Sequence, residues 1–316
     1  MLDYLHNHYE FKELLRAVEH ELNIDRSLIE KDYWIMHSLY GLKEHGFDFE
    51  LKGGTSLSKG YGIIHRFSED IDIRIEPPAD VDVKTGKNHI KPAHCESRKK
   101  YYNWLAENIK IEGIRKIVRD TDFDDEKLYR GGGIRLYYKD ALPFKGGLKE
   151  GLLLEVGFDN VTPNTALTIS SWALEFARKN NMKVVDNRAK DIKCYHPGYT
   201  FVEKLQTIIT KFRQFQDSGQ LAKNFIRHYY DIACLLDVEE VQAFIGTLEY
   251  QQHKKDRFRG KDKEIPVKNQ EAFLLKNYEV KNLFEKEYQN ISALYYREQI
   301  SLDEILQKIA ENLNKL

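Results

Sequence analysis

Lys52-Gly53-Gly54-Thr55-Ser56-Leu57, followed by Arg66-Phe67-Ser68-Glu69-Asp70-Ile71-Asp72, is the stretch on which the reading of this chain turns. Phe49 to Leu51 reads as a short strand, the glycine pair turns it, and Leu57, Tyr61 and Ile64 then recur at helical spacing. Ile71 to Ile75 alternates apolar and charged residues, which predicts a strand with Asp70, Asp72 and Arg74 on one face. Backbone amides freed by Gly53 and Gly54, with the hydroxyls of Thr55 and Ser56, suit phosphate oxygens at a helix start. Asp70 and Asp72 offer hard oxygen donors on one strand face, suited to Mg²⁺. A Gly-Gly pair alone reads as a turn, and a D-x-D alone as a solvated face; one helix apart they read as a site. The segment Gly53 to Gly60 also mimics a P-loop, but Ser58-Lys59-Gly60 stands where that motif requires Gly-Lys-Ser/Thr, so that reading is rejected.

A phosphoryl-transfer site with two metal ions wants a third carboxylate on a neighbouring strand. Leu152-Leu153-Leu154-Glu155-Val156 supplies Glu155, a charge inside an apolar strand that needs either a metal or a basic partner across the sheet. Further strands are expected at Gly133 to Tyr138 and Ala166 to Ile169, and helix at 8–45, broken near Asn23 and Asp25, and at Pro92 to Val118. From Tyr199 onward the period is helical throughout, in segments Phe225–Leu236, Glu240–Leu248, Glu271–Tyr288 and Ser301–Leu316. The expected class is therefore α+β: a mixed β-sheet core flanked by helices over residues 1–195, and a helical domain over 196–316, with a cleft between them.

The 316 residues carry 49 basic and 50 acidic side chains, a net charge of −1 that excludes a general nucleic-acid-coating protein. Locally, Lys84 to Arg119 holds ten Lys and Arg against three Glu, and it includes Tyr101, Tyr102 and Trp104. That segment reads equally as an RNA-facing surface or as an amphipathic helix with its aromatics in the core. Cys95, Cys194 and Cys234 form no C-x-x-C pair and read as plain thiols. With no apolar run near membrane length and no signal-like start, a cytoplasmic location is expected.

The ordered motifs G-G-T-S-L (53–57), R-F-S-E-D-I-D (66–72), L-E-V (154–156), E-K-L (203–205) and R-H-Y-Y-D (227–231) resemble those of the AbiEii/AbiGii family. These are MenT-like toxins of type IV toxin–antitoxin systems, within the DNA polymerase β-like nucleotidyltransferase superfamily. The resemblance spans roughly Ile29 to Leu236. It implies transfer of a nucleoside monophosphate from an NTP, with Mg²⁺ (two ions) as cofactor, a tRNA 3′ end as the acceptor for some members of the family and an antitoxin as partner. Gly53, Gly54, Thr55 and Ser56 would hold the triphosphate, Ser68 would lie beside the metal site, and Asp70 and Asp72, with Glu155, would bind metal. Lys204 matches the family's essential lysine and would neutralise triphosphate charge, and Asp231 would orient that lysine or the nucleotide, both reaching the cleft from the helical domain. The alternatives are a protein or small-molecule acceptor, which differs in the acceptor surface alone, and a catalytically silent nucleic-acid or partner-binding module.

Overall fold

The computed structural model describes residues 2–141 and 149–316. By contacts these form two compact units, one of residues up to Tyr61 with Phe67–Tyr195, the other of Gly62–Arg66 with His196–Leu316.

The first unit opens with α1 (Phe11–Leu22), whose Phe11, Leu14, Leu15 and Val18 form one buried stripe. Asn23 ends it in the left-handed conformation, and Asp25 caps α2 (Arg26–Glu44) by accepting from the Ser27 amide. Helix α2 is buried almost throughout from Leu28 to Leu42. Strand β1 (Phe49–Lys52) runs into the helical turn α3 (Gly53–Thr55), which continues as a π-type turn over Ser56–Gly60. After β2 (Asp70–Ile75) come α4 (Pro92–Asn108), β3 (Ile114–Asp120), β4 (Gly131–Tyr138) and β5 (Leu152–Gly157). Strand β6 (Asn164–Ile169), α5 (Trp172–Lys179) and β7 (Ala189–Tyr195) complete the unit.

The seven strands make one mixed sheet in the order β3-β4-β5-β2-β1-β7-β6. Strand β2 is central, antiparallel to β1 and parallel to β5, and the register sets Lys52 and Glu155 on either side of Asp72. Leu51, Ile71, Ile73 and Leu152 to Leu154 are fully buried, so the strand core that carries the acidic residues is apolar and rigid.

The second unit is helical. Pro197 and the His196 side chain, which accepts from the Gly198 amide, start α6 (Pro197–Ser218). Helices α7 (Arg227–Leu235), α8 (Glu239–Phe244), α9 (Leu248–Arg257), α10 (Glu271–Leu274), α11 (Tyr278–Asn290) and α12 (Leu302–Asn312) follow. Phe284 of α11 is fully buried, with the rings of Phe212, Phe215, Phe225 and Tyr229 at 5.7 to 6.0 Å. A capping box joins Ser301 and Glu304 at the start of α12. Among the described residues no helix is long and apolar enough to cross a membrane.

Three expected helices are corrected, and one strand was not expected. The helix expected over Pro92 to Val118 stops at Asn108: Gly113 has a left-handed φ of 79°, and Ile114 to Asp120 is the edge strand β3. The three-residue spacing of Ile111, Ile114 and Ile117 imitates a helix, but the glycine turn resets the direction. Strand β7 went unread because its buried positions, Ala189, Ile192, Cys194 and Tyr195, follow no strict alternation, and Asp191 sits at positive φ. The stretches Glu240–Leu248 and Glu271–Tyr288 are each broken, at Gly246 and Leu275, both left-handed.

Candidate active site

Gly53 connects the glycine turn to the acidic strand. Its φ is 69°, and a Cβ there would collide with Asp72 Oδ2, so glycine is required both for the backbone conformation and for the approach of that carboxylate. The Thr55 hydroxyl, fully buried, donates to the Asp70 carbonyl at 2.5 Å. Ser56 is also fully buried, beside the Cys194 thiol. The Thr55 hydroxyl therefore fastens the turn to the sheet, the Ser56 hydroxyl is buried without a hydrogen-bond partner among the described residues, and neither side chain is free to meet a ligand from solvent. Lys59, the lysine of the rejected P-loop reading, is bound instead to buried Asp32 at 2.6 Å, with the Trp172 ring beneath it.

Asp70, 7% exposed, receives the Lys149 ammonium at 3.2 Å on Oδ1 and 3.5 Å on Oδ2. Lys149 is itself held in place: its amide donates to Glu69 Oε1, and its carbonyl accepts from Lys31 of α2 at 2.6 Å. Ser68 is buried two residues before Asp70. Glu155 stands opposite Asp72 in the parallel register. Burial and the neighbouring Asp72 and Asp70 charges push its carboxyl up to about 7, against the opposing pull of Lys149 and Lys52.

Among the described residues no three His, Cys, Asp or Glu side chains are gathered into a ready-made metal cage. The donor set nevertheless fits a divalent cation. Asp70 and Asp72 share one strand face, Glu155 joins them from the adjacent strand, their charges oppose one another, and an ammonium already lies against Asp70.

In the helical unit Asp231 is completely buried in α7. Its Oδ1 accepts from Arg66 Nε at 2.6 Å, and its Oδ2 from Arg66 Nη2 at 2.6 Å and Lys204 Nζ at 2.5 Å. Burial alone would raise this carboxyl, but Arg66 and Lys204 override it and hold it far below the usual carboxylate range. Lys204, 6% exposed on α6, is drawn downward by burial and by repulsion from Arg66, which Asp231 only partly offsets. Two cations on one carboxylate leave a surplus positive charge, the sign that a polyphosphate requires. The sequence reading overlooked Arg66, although it sits in the quoted motif, and Lys149; no local pattern marks a residue whose partner lies far along the chain.

The basic segment divides. Tyr101 and Tyr102 are in the core, 1% and 0% exposed, so they do not stack on bases. Arg98 is fully buried, donating to the carbonyls of Leu128, Lys84 and His89. This resolves the two readings in favour of core packing for those side chains.

The sequence pattern of the nucleotidyl transferase AbiEii toxin family, type IV toxin–antitoxin system, matches residues 37–308. The chain belongs to the AbiEii family. It is a nucleotidyltransferase, and its family places nucleotidyl transfer within a toxin–antitoxin system. Members of the AbiEii family take an NTP as substrate with a divalent metal, and an antitoxin is the partner that such a toxin implies. No curated protein matches the chain. Among solved structures it is similar to an antigenic nucleotidyltransferase-like protein from Paracoccidioides brasiliensis, at 12% identity and a TM-score of 0.36, covering 73% of this chain and 95% of that one.

Proposed function

We propose that this AbiEii-family protein is a Mg²⁺-dependent toxin that transfers a nucleoside monophosphate from an NTP to an RNA acceptor, a tRNA 3′ end. The observation that carries the proposal is the packing of Asp72 against Gly53 with Glu155 in register beside it, which joins a phosphate-suited turn to a cluster of hard oxygen donors. Asp70 and Asp72, with Glu155, are the residues that would hold the ion; bound there, Mg²⁺ supplies charge neutralisation at the α-phosphate and lowers the pKa of the attacking hydroxyl. The backbone amides of Gly53 and Gly54 hold phosphate oxygens, with Thr55 tying the turn to the sheet, Ser56 buried in it and Ser68 beside the acidic strand. Lys204, oriented by Asp231, meets the triphosphate charge. The acceptor oxygen bonds to the α-phosphorus, the bond from that phosphorus to the bridging oxygen breaks, pyrophosphate departs and the hydroxyl proton passes to solvent.

The test is incubation of the protein with Mg²⁺, each α-³²P-labelled NTP in turn and total cellular RNA, resolved on a denaturing gel. Label in a tRNA-sized band that disappears with Asp70→Ala supports the reading. Label in protein alone replaces the acceptor, and absence of both transfer and Mg²⁺-dependent NTP binding overturns the proposal.

A further inference from the structure

A cavity of about 500 Å³ opens in the sheet-bearing unit among the Leu5–Asn7 turn, the start of α1, the middle of α2 and the facing ends of β3 and β4. None of the residues assigned above to NTP or metal lines it. Two of its lining side chains, His6 and Trp34, each carry a buried ring nitrogen with no hydrogen-bond partner among the described residues. Trp34 is 2% exposed, and its indole nitrogen can only donate.

The proton on His6 follows from its neighbours. Asn187 Nδ2 donates to the Tyr33 hydroxyl at 3.2 Å, and that hydroxyl lies 2.8 Å from His6 Nδ1. With its oxygen accepting from Asn187, Tyr33 has its own hydrogen to give, and giving it to Nδ1 is the arrangement that places the proton of a neutral His6 on Nε2. Burial and the neighbouring His37 hold the His6 pKa down to about 3, so the ring is neutral near pH 7. The residues that wall the cavity thus carry two buried donors that lack acceptors among the described residues.

The charged residues around it complete the pattern. Lys12, Arg115 and Lys139 line the cavity with Asp140 as the opposing charge, and none of the three cations makes an ion pair among the described residues. Tyr9, 86% exposed, also lines it, with the His8 ring stacked on it at 4.7 Å. The volume falls in the range of small-molecule sites. Cations without an ion-pair partner call for phosphate oxygens, and an exposed aromatic wall calls for a planar ring. We infer that this cavity binds a nucleoside 5′-monophosphate unit, free or as one residue of an RNA strand, with Arg115 and Lys139 on the phosphate, Tyr9 against the base and Trp34 in the wall behind them.

The experiment needs neither NTP nor metal, so its outcome is independent of the transfer reaction. ¹⁵N-labelled protein in EDTA is titrated with adenosine and cytidine 5′-monophosphates, a 5′-phosphorylated RNA trinucleotide and inorganic phosphate, following the indole N–H signals of its three tryptophans; calorimetry gives Kd. The expected result is a shift of the Trp34 signal, which lies in the cavity wall, assigned by Trp34→Phe. The exposed double variant Arg115→Ala/Lys139→Ala raises Kd at least tenfold with an unchanged melting temperature. A trinucleotide that binds tenfold more tightly than the monophosphates identifies a strand as the source; equal affinities identify the free nucleotide. Inorganic phosphate binding as tightly as the nucleotides, an unmoved Trp34 signal, or a double variant that binds like the parent each overturns the inference.

Discussion

Arg66 and Asp231, 165 residues apart, form a two-point ion pair with both oxygen–nitrogen distances at 2.6 Å and with both side chains excluded from solvent. The pair binds Gly62–Arg66, which enters the helical unit from the middle of the sheet-forming sequence, to α7. It also sets the place of Lys204, which shares Oδ2 with Arg66. The fold thus fixes a cation by giving one buried carboxylate two basic partners.

The three members of this cluster are expected to differ when removed. Asp231→Asn strands two buried cations and should destabilise the protein by about 3–5 kcal/mol. Lys204→Met leaves Arg66 and Asp231 paired one to one, so its stability loss should be smaller, about 1–2 kcal/mol, while NMP transfer disappears. Urea unfolding of both variants, followed by circular dichroism, measures the contrast. Equal losses would show that Lys204 is as structural as Asp231.

Gly53 provides a sharper probe of the acidic strand. Gly53→Ala brings both the strain of a left-handed alanine, about 1–2 kcal/mol, and a collision with Asp72. Gly62→Ala is the control: its φ of 66° gives the same strain, with nothing within 4 Å of the added methyl. Gly53→Ala should lose at least as much stability as Gly62→Ala, and Gly53→Ala alone should lose transfer by about 100-fold, the scale of a 1 Å displacement at a reacting centre. Steady-state assays of the pair beside their melting temperatures decide it; a similar loss of transfer in both would assign the effect to strain.

The period-two pattern of Asp70–Ile75 and the apolar run at Leu152–Leu154 made the central strands and their three carboxylates legible, because each depends only on neighbours in sequence. Arg66 and Lys149 were not legible as partners, since Asp231 and Asp70 lie 165 and 79 residues from them and only the folded sheet and helices bring them together. Thr55 and Ser56 show the opposite error. Their position in a glycine turn suggested phosphate, but burial turned both inward. Strand β3 was misread because edge strands carry little alternation, its Arg115 and Lys116 both being exposed.

Glu155→Gln should separate the repulsion among the carboxylates from their use. With EDTA present at pH 8, removing one of three mutually repelling charges should stabilise the protein by on the order of 1 kcal/mol. Added Mg²⁺ should then raise the melting temperature of the parent more than that of the variant. A thermal-shift series over Mg²⁺ concentration reads both effects, and an equal Mg²⁺ response in the two proteins would remove Glu155 from the ion's ligands.

His37 makes stability depend on pH. It is 1% exposed, its Nε2 donates to the Glu112 carbonyl at 3.0 Å, and its Nδ1 accepts from Asn187 Nδ2 at 2.8 Å. A proton on Nδ1 would set donor against donor, and burial, the main cause, brings the folded pKa down to about 4. The unfolded chain, at about 6.5, therefore binds more protons between these values, and stability rises with pH across that window. The contribution is complete above pH 6.5 and is lost as the pH falls, by about 2 kcal/mol at pH 5 and about 3 kcal/mol at pH 4. His37→Gln keeps a donor and an acceptor in the same site but cannot titrate. Its unfolding free energy, from urea titrations at pH 7.5, 6, 5 and 4, should fall less steeply than the parent's by those amounts, and parallel curves would locate the acid sensitivity in other groups.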